Sequence, residues 1–181
     1  MTKLTQTEPL AVATFEKVSF EEFLKDAYRI SNTNLEPDND EVKWLRKQYD
    51  DIKFPTRATS GSAGYDFYCP YETEIMENFD TLICTGIRVK LEPGWMLALF
   101  PRSGLGFKYG VRLKNTVGII DSDYYNATNE GHIMAKLAAD EYTLIHQGDR
   151  FMQGILLPCG ITTNDSVIKE NRVGGFGSTG N

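Results

Sequence analysis

Two kinds of hydrophobic spacing divide this chain. After residues 1–18, which carry no clear pattern, Phe20, Phe23, Leu24, Ala27 and Tyr28 recur at helical spacing. Ser19 and Glu22 fit the start of a helix, because a side-chain oxygen three residues before a Glu can form a capping box. The pattern predicts a short amphipathic helix over about 20–30. Residues 32–39 read as a loop around Pro37. Asp38 and Glu41 then repeat the capping pattern, and Val42, Leu45, Tyr49 and Ile52 form a second apolar stripe that Pro55 ends.

Beyond Pro55 the spacing shortens. Residues 87–91 alternate as a half-buried strand should, and residues 95–100 form a continuous apolar run, as in a buried strand. Residues 111–113, 116–120, 132–138, 142–146 and 151–157 continue the series, with Gly, Pro and Asp clusters between them. This spacing predicts a mainly β domain, a sandwich or a barrel, with a short helical N-terminal extension. The expected division is a helical extension over 1–52, a β domain over 53–170 and a glycine-rich C-terminal arm over 171–181. The arm has too little apolar surface to pack by itself.

Composition mainly excludes. The 41 % hydrophobic and 24 % charged content is ordinary for a soluble domain. No apolar run approaches membrane-spanning length, so no membrane partner is expected. Residues 1–18 lack the basic-then-apolar order of a secretory signal. Cys69, Cys84 and Cys159 are widely spaced, with no Cys-x-x-Cys pair. They are expected to be buried or half-buried free thiols in a reducing, cytoplasmic setting. A net charge of −6 makes a poor general binder of nucleic acid. An anionic ligand would need basic residues gathered locally, and Arg102, Lys108, Arg112, Arg150 and Arg172 fall in or near the segments that follow.

Five segments carry candidate chemistry. In Gly61-Ser-Ala-Gly-Tyr-Asp66, small residues allow close backbone approach before an acid at the start of a strand, although an Asp beside Gly also suits a plain turn. Pro101-Arg-Ser-Gly-Leu-Gly106 offers a guanidinium fork, a hydroxyl and an accessible N–H, all suited to phosphate oxygens; a strand-to-helix turn capped by Ser is the structural alternative. Gly118-Ile-Ile-Asp-Ser-Asp-Tyr124 carries two carboxylates two residues apart. In an extended chain both lie on one face, where they could bind a metal or one could act as a base. Gly148-Asp-Arg leads into a strand holding Gln153, whose amide needs a partner if buried. Gly174-Gly-Phe-Gly-Ser-Thr-Gly180 has loop donors but lacks the Gly-Lys-Ser/Thr of a P-loop. His132 and His146 fit neither a zinc site nor a Ser-His triad, and a place on a strand surface is expected for both.

Taken together and in this order, the five segments resemble the five motifs of the trimeric dUTP diphosphatase (dUTPase) family. The resemblance runs from about residue 53 onward. It implies a jelly-roll-like subunit, a homotrimer with active sites between subunits, and Mg²⁺-dependent hydrolysis of dUTP to dUMP and pyrophosphate. Position by position it implies Asp121 as the general base for water and Tyr124 as the ring under the deoxyribose. It implies Gly118 and Asn115 at the uracil pocket, and Arg102, Ser103, Gly104 and Gln153 as phosphate contacts. Asp66 would hold the metal through water. In the arm, Phe176 would stack on uracil, while Arg172, Gly177, Ser178 and Thr179 would meet the outer phosphates.

Three features depart from the family pattern. Arg172 stands one residue nearer Phe176 than is common. Tyr125-Asn-Ala-Thr-Asn-Glu-Gly131 lengthens the hairpin expected after Tyr124. The first 50 or so residues match no family motif. Two alternatives stay open: a dCTP deaminase-like enzyme, which needs a Glu that residues 115–125 lack, and a binding or regulatory protein on the same scaffold. If the N-terminal segment is an appendage, deleting residues 1–50 should leave turnover largely intact.

Overall fold

The computed structural model describes residues 10–30 and 37–166. The chain enters as strand β1 (Ala13–Lys17), followed by α1 (Phe20–Ile30) and α2 (Asn39–Asp50). Both helices start where their caps predict. Asp38 and Glu41 form a complete reciprocal box at α2, with the Asp38 N–H donating to Glu41 Oε2 at 2.9 Å. At α1 the box is only half local. Ser19 Oγ accepts from the Glu22 N–H at 3.1 Å, but Glu22 turns to Lys25 at 3.0 Å. The missing half comes from far along the chain: the Ser19 N–H and hydroxyl donate to Glu130 at 2.7 and 2.6 Å.

Short strands make up the rest. They are β2 (Gly64–Tyr68), β3 (Thr73–Ile75), β4 (Thr81–Cys84), β5 (Ile87–Leu91) and β6 (Trp95–Pro101). After α3 (Ser103–Tyr109) come β7 (Arg112–Leu113) and β8 (Gly118–Ile120). A 3₁₀ helix (Ser122–Asn126) leads on to β9 (Met134–Ala138), β10 (Thr143–Ile145) and β11 (Arg150–Pro158). All named pairings are antiparallel. The sheets have orders β2-β11-β6-β8, β4-β9-β7, β1-β5 and β3-β10. The fold is therefore mainly β with a helical N-terminal segment. Among the described residues no helix is long and apolar enough to cross a membrane.

The core joins both parts of the chain. Phe67, Ile83, Leu97, Leu99, Leu137 and Phe151 are buried in it, and Phe23 of α1 enters the same cluster at 0 % exposure. Burying such a ring is worth about 1.5–3 kcal/mol. Residues 13–17 are not patternless: β1 pairs with β5 from Ala13 opposite Leu91 to Lys17 opposite Ile87. Five residues with one large apolar side chain, Phe15, are too few for alternation to register in sequence.

Three further expectations are corrected. His132 is fully buried rather than on a strand surface, because Asp26 and the Gly86 N–H satisfy both ring nitrogens. Cys159 is exposed, whereas Cys69 and Cys84 are buried as expected; burial pushes the Cys69 thiol up to about 11. No β8–β9 hairpin forms, because β8 pairs with β6 while β9 pairs with β4 and β7.

Candidate active site

Strand β6 has a different group of candidate residues at each end. At its C-terminal end, β11 places Gln153 opposite both Asp66 of β2 and Phe100 of β6. Side chains paired across neighbouring strands share a face. Asp66 is 8 % exposed, and its two oxygens face two guanidinium groups. Arg102 Nε lies 3.3 Å from Oδ1, and Arg150 donates to Oδ2 at 3.1 Å. Two cations around one acid leave a positive charge in excess. Gly64 lies close under the Gln153 side chain, where a Cβ would stand 2.6 Å from Oε1.

The chain then turns directly into α3. Arg102 is its N-cap and uses no side-chain capping bond; its carbonyl takes the Leu105 and Gly106 N–H groups. Ser103 is therefore not the cap, and it lies exposed beside Gly104 in the first turn. The Arg102 guanidinium, the Ser103 hydroxyl and the Gly104 backbone are thus displayed next to the Asp66 cluster.

At the other end, β8 lies against β6 with Gly118 opposite Leu99 and Ile120 opposite Leu97. Gly118 fits closely, because a Cβ there would stand 3.1 Å from Leu99 Cβ. The buried Ile120 anchors the strand end, and Asp121 follows as the exposed N-cap of the 3₁₀ helix. Because the chain coils at Ser122, Asp121 and Asp123 are not on one extended strand, which was the geometry expected for a paired-carboxylate face. The Tyr124 ring is 2 % exposed. Its hydroxyl donates to the His132 carbonyl at 2.9 Å and accepts from Asn129 Nδ2 at 2.8 Å. Asn115 is exposed in the turn before β8, where its carbonyl accepts the Val117 N–H at 2.7 Å.

The register separates these groups. Ile120 pairs with Leu97, so Asp121 lies beside the start of β6, whereas Arg102 follows its end. Six residues of strand span about 20 Å. A base has to come within roughly 3 Å of the proton it takes, directly or through one water. One chain therefore gathers Asp66, Arg102, Ser103, Gly104 and Gln153 at one end and Asp121 and Tyr124 at the other. Arg172, Phe176, Gly177, Ser178 and Thr179 lie outside the described residues.

The dUTPase family model matches residues 50–180. This chain belongs to the dUTPase family. The deoxyuridine 5'-triphosphate nucleotidohydrolase of Lactococcus lactis is 39 % identical over 133 residues, covering 71 % of this chain and 89 % of that protein. The enzyme of the same name from Hahella chejuensis is 40 % identical over 149 residues, covering 77 % and 95 %. The dUTPase of Streptococcus mutans superposes with a TM-score of 0.57 at 37 % identity, covering 61 % of this chain and 89 % of that one. A mutant dUTPase from phage phi11 of S. aureus shares the fold at 18 % identity, with a TM-score of 0.56 over 65 % of this chain and 91 % of that one. Its description names a structural Mg(II) ion.

Whether Mg²⁺ suits the residues of this dUTPase family member can be tested on its donors. Among the described residues no three His, Cys, Asp or Glu side chains cluster as a metal cage. Asp66 is committed to two arginines, yet a carboxylate has about four acceptor sites. The remaining sites suit the water shell of a hydrated ion. Mg²⁺ keeps several waters and takes its other ligands from phosphates, so the residues fit an ion held through water.

The motifs marked some residues without their role and missed others. Arg150 lay in Gly148-Asp-Arg, and the structure adds that it bonds the Asp66 oxygen that Arg102 does not face. Asp26, Glu130 and His132 support Tyr124 and the 3₁₀ segment, and no local pattern marks them. Asp26 and His132 are 106 positions apart.

Proposed function

We propose that this chain hydrolyses dUTP to dUMP and pyrophosphate, with Mg²⁺, at sites shared between the subunits of a cytoplasmic homotrimer, and so limits uracil entry into DNA. The separation of Arg102 from Asp121 along β6 carries the shared-site part of this reading. With the two ends about 20 Å apart in one chain, a whole site takes the phosphate end of one copy and the base end of another. Family membership supports the reaction itself.

In this reading Arg102, the Ser103 hydroxyl, the Gly104 N–H and Gln153 hold the phosphates. Arg150 fixes the Asp66 carboxylate in place, and Asp66 would hold the hydrated ion through water. When bound, Mg²⁺ offsets the charge of the phosphate oxygens. Asp121, at a fixed strand end, accepts a proton from the attacking water. The water oxygen bonds to the α-phosphorus as the bond from that phosphorus to the bridging oxygen of the leaving pyrophosphate breaks. One positioned base of this kind is worth about 10²–10⁴-fold in rate. Asn115 and the Gly118 backbone read the uracil, and Tyr124 floors the deoxyribose subsite. Phe176, with Arg172, Gly177, Ser178 and Thr179 of the 171–181 arm, closes the site and excludes water.

A nucleotide panel with Mg²⁺ tests this. Pyrophosphate should appear from dUTP and far more slowly from UTP, dCTP or dTTP. No pyrophosphate from dUTP would end the reading, and ammonia from dCTP would move the chain to the deaminase chemistry.

A further inference from the structure

The Tyr124 hydroxyl is held by groups that belong to no motif, the His132 carbonyl and the Asn129 amide. The His132 side chain is 0 % exposed and fixed at both nitrogens. Nε2 accepts the Gly86 N–H at 2.8 Å, and Nδ1 lies 2.7 Å from Oδ2 of Asp26, on α1. A backbone N–H can only donate, so Nε2 is the bare nitrogen and Nδ1 carries the proton toward Asp26. Asp26 is itself 4 % exposed.

The same segment is clasped at two more points. Glu130 takes two bonds from Ser19, and the Tyr125 hydroxyl donates to Glu16 at 2.8 Å. Gly86 is tied to the N-terminal segment as well, since its carbonyl accepts the Val18 N–H at 3.1 Å. At Gly131 the backbone has φ +73, and a Cβ would stand 2.7 Å from the Tyr124 carbonyl oxygen, so the segment folds closely on itself.

We propose that Asp26, acting through His132, is a positioning residue for Tyr124, and that the N-terminal helix thereby sets how strongly the site rejects ribose. This rests on the functional reading above, in which Tyr124 floors the sugar subsite. A 2′-hydroxyl enters that subsite only if the ring gives way by a fraction of an ångström. The resistance of the ring depends on what holds its hydroxyl. Without Asp26, the His132 Nδ1–H is buried with no acceptor, a state costly enough that the imidazole turns or draws in water. The carbonyl of His132 moves with it, and the Tyr124 anchor loosens.

The test compares kcat/KM for dUTP and UTP, together with the melting temperature, in the full-length chain. Asp26→Ala should lower the dUTP-to-UTP ratio about tenfold, chiefly through a higher KM for dUTP and easier entry of UTP. Asp26→Asn keeps an acceptor oxygen in place and should return the ratio to within about twofold of wild type. Leu24→Ala, which weakens α1 packing, should lower the melting temperature and leave the ratio alone. Should Asp26→Ala not fold, Asp26→Ser, whose hydroxyl is too short to reach Nδ1, carries the same expectation. A folded Asp26→Ala or Asp26→Ser protein with the wild-type ratio overturns the role of Asp26 while leaving the hydrolase reading intact. Wild-type protein that releases no pyrophosphate from dUTP ends both.

Discussion

The two ends of β6 are built on opposite plans. At the Arg102 end, charge does the holding: Asp66 sits between Arg102 and Arg150, and the first turn of α3 lies exposed beside it. At the Tyr124 end, burial does the holding. The ring is in the core, and a clasp of Glu16, Ser19 and Asp26 reaches it from the N-terminal segment. The difference follows from what each end is proposed to bind. Phosphate oxygens are recognised by strong, orientable donors at the surface, whereas telling one sugar from another requires a wall that does not yield. Residues 16–26, which match no motif, thus form part of the support of the Tyr124 end.

The largest effect expected is on the base. Asp121→Asn should fold and bind nucleotide normally while turnover falls about 10²–10⁴-fold, measured as pyrophosphate release. Wild-type turnover would remove Asp121 as the base. Mixing sharpens the comparison. Asp121→Asn and Arg102→Ala should each be nearly inactive, yet equal co-refolded mixtures should recover activity at about one quarter of the sites, because some sites then draw a whole end from each parent. No recovery would mean that both ends act within one chain.

Next comes the shared core. Phe23→Ala should cost about 3–5 kcal/mol in denaturant unfolding of the β domain itself, because the ring is buried among strand residues. A change below 1 kcal/mol would make the N-terminal segment a true appendage, and deletion of residues 1–50 would then be harmless. The structure gives the opposite expectation, since that deletion removes Val18, Phe23 and Leu45 from the core.

The smallest effects concern the clasp. Ser19→Ala should cost about 1 kcal/mol through the lost cap. The clasp is also pH-dependent. The Tyr125 hydroxyl, with Arg88 beside it, holds the Glu16 carboxyl below the usual range despite some burial. Burial alone would raise Glu130, but the two bonds from Ser19 outweigh it and hold that carboxyl low as well. A carboxyl depressed in the folded state adds stability that is complete above its unfolded pKa and is lost as pH falls through the folded value. The stability gap between wild type and Tyr125→Phe should therefore close on acidification below the ordinary Glu range. A gap that stayed constant down to strongly acid pH would mean that Glu16 takes no part in the clasp.

Much of this was legible in the chain where the signal is local. The caps at Ser19 and Asp38, the alternation at β5 and the apolar run at β6 lie within a few residues, and the elements formed there. The five motif segments, read together and in order, pointed to the family that the comparisons support. β1 escaped because it is short and its pairing partners on β5 lie seventy or more positions on. The hairpin expected to turn after Tyr124 did not form between β8 and β9, because each of these strands pairs with another neighbour. His132 was misplaced because its environment is made by Asp26 and Gly86, neither adjacent in sequence.

Residue order by itself set the helices, most strands and the kinds of chemical group on offer, since these depend on spacing and on side chains a few positions apart. Only the tertiary structure decided which groups meet. Strand register put Arg102 and Asp121 at opposite ends of β6, and packing brought Asp26 and Glu16 to the segment around Tyr124. Register and packing are set by contacts between distant parts of the chain, which no local pattern encodes.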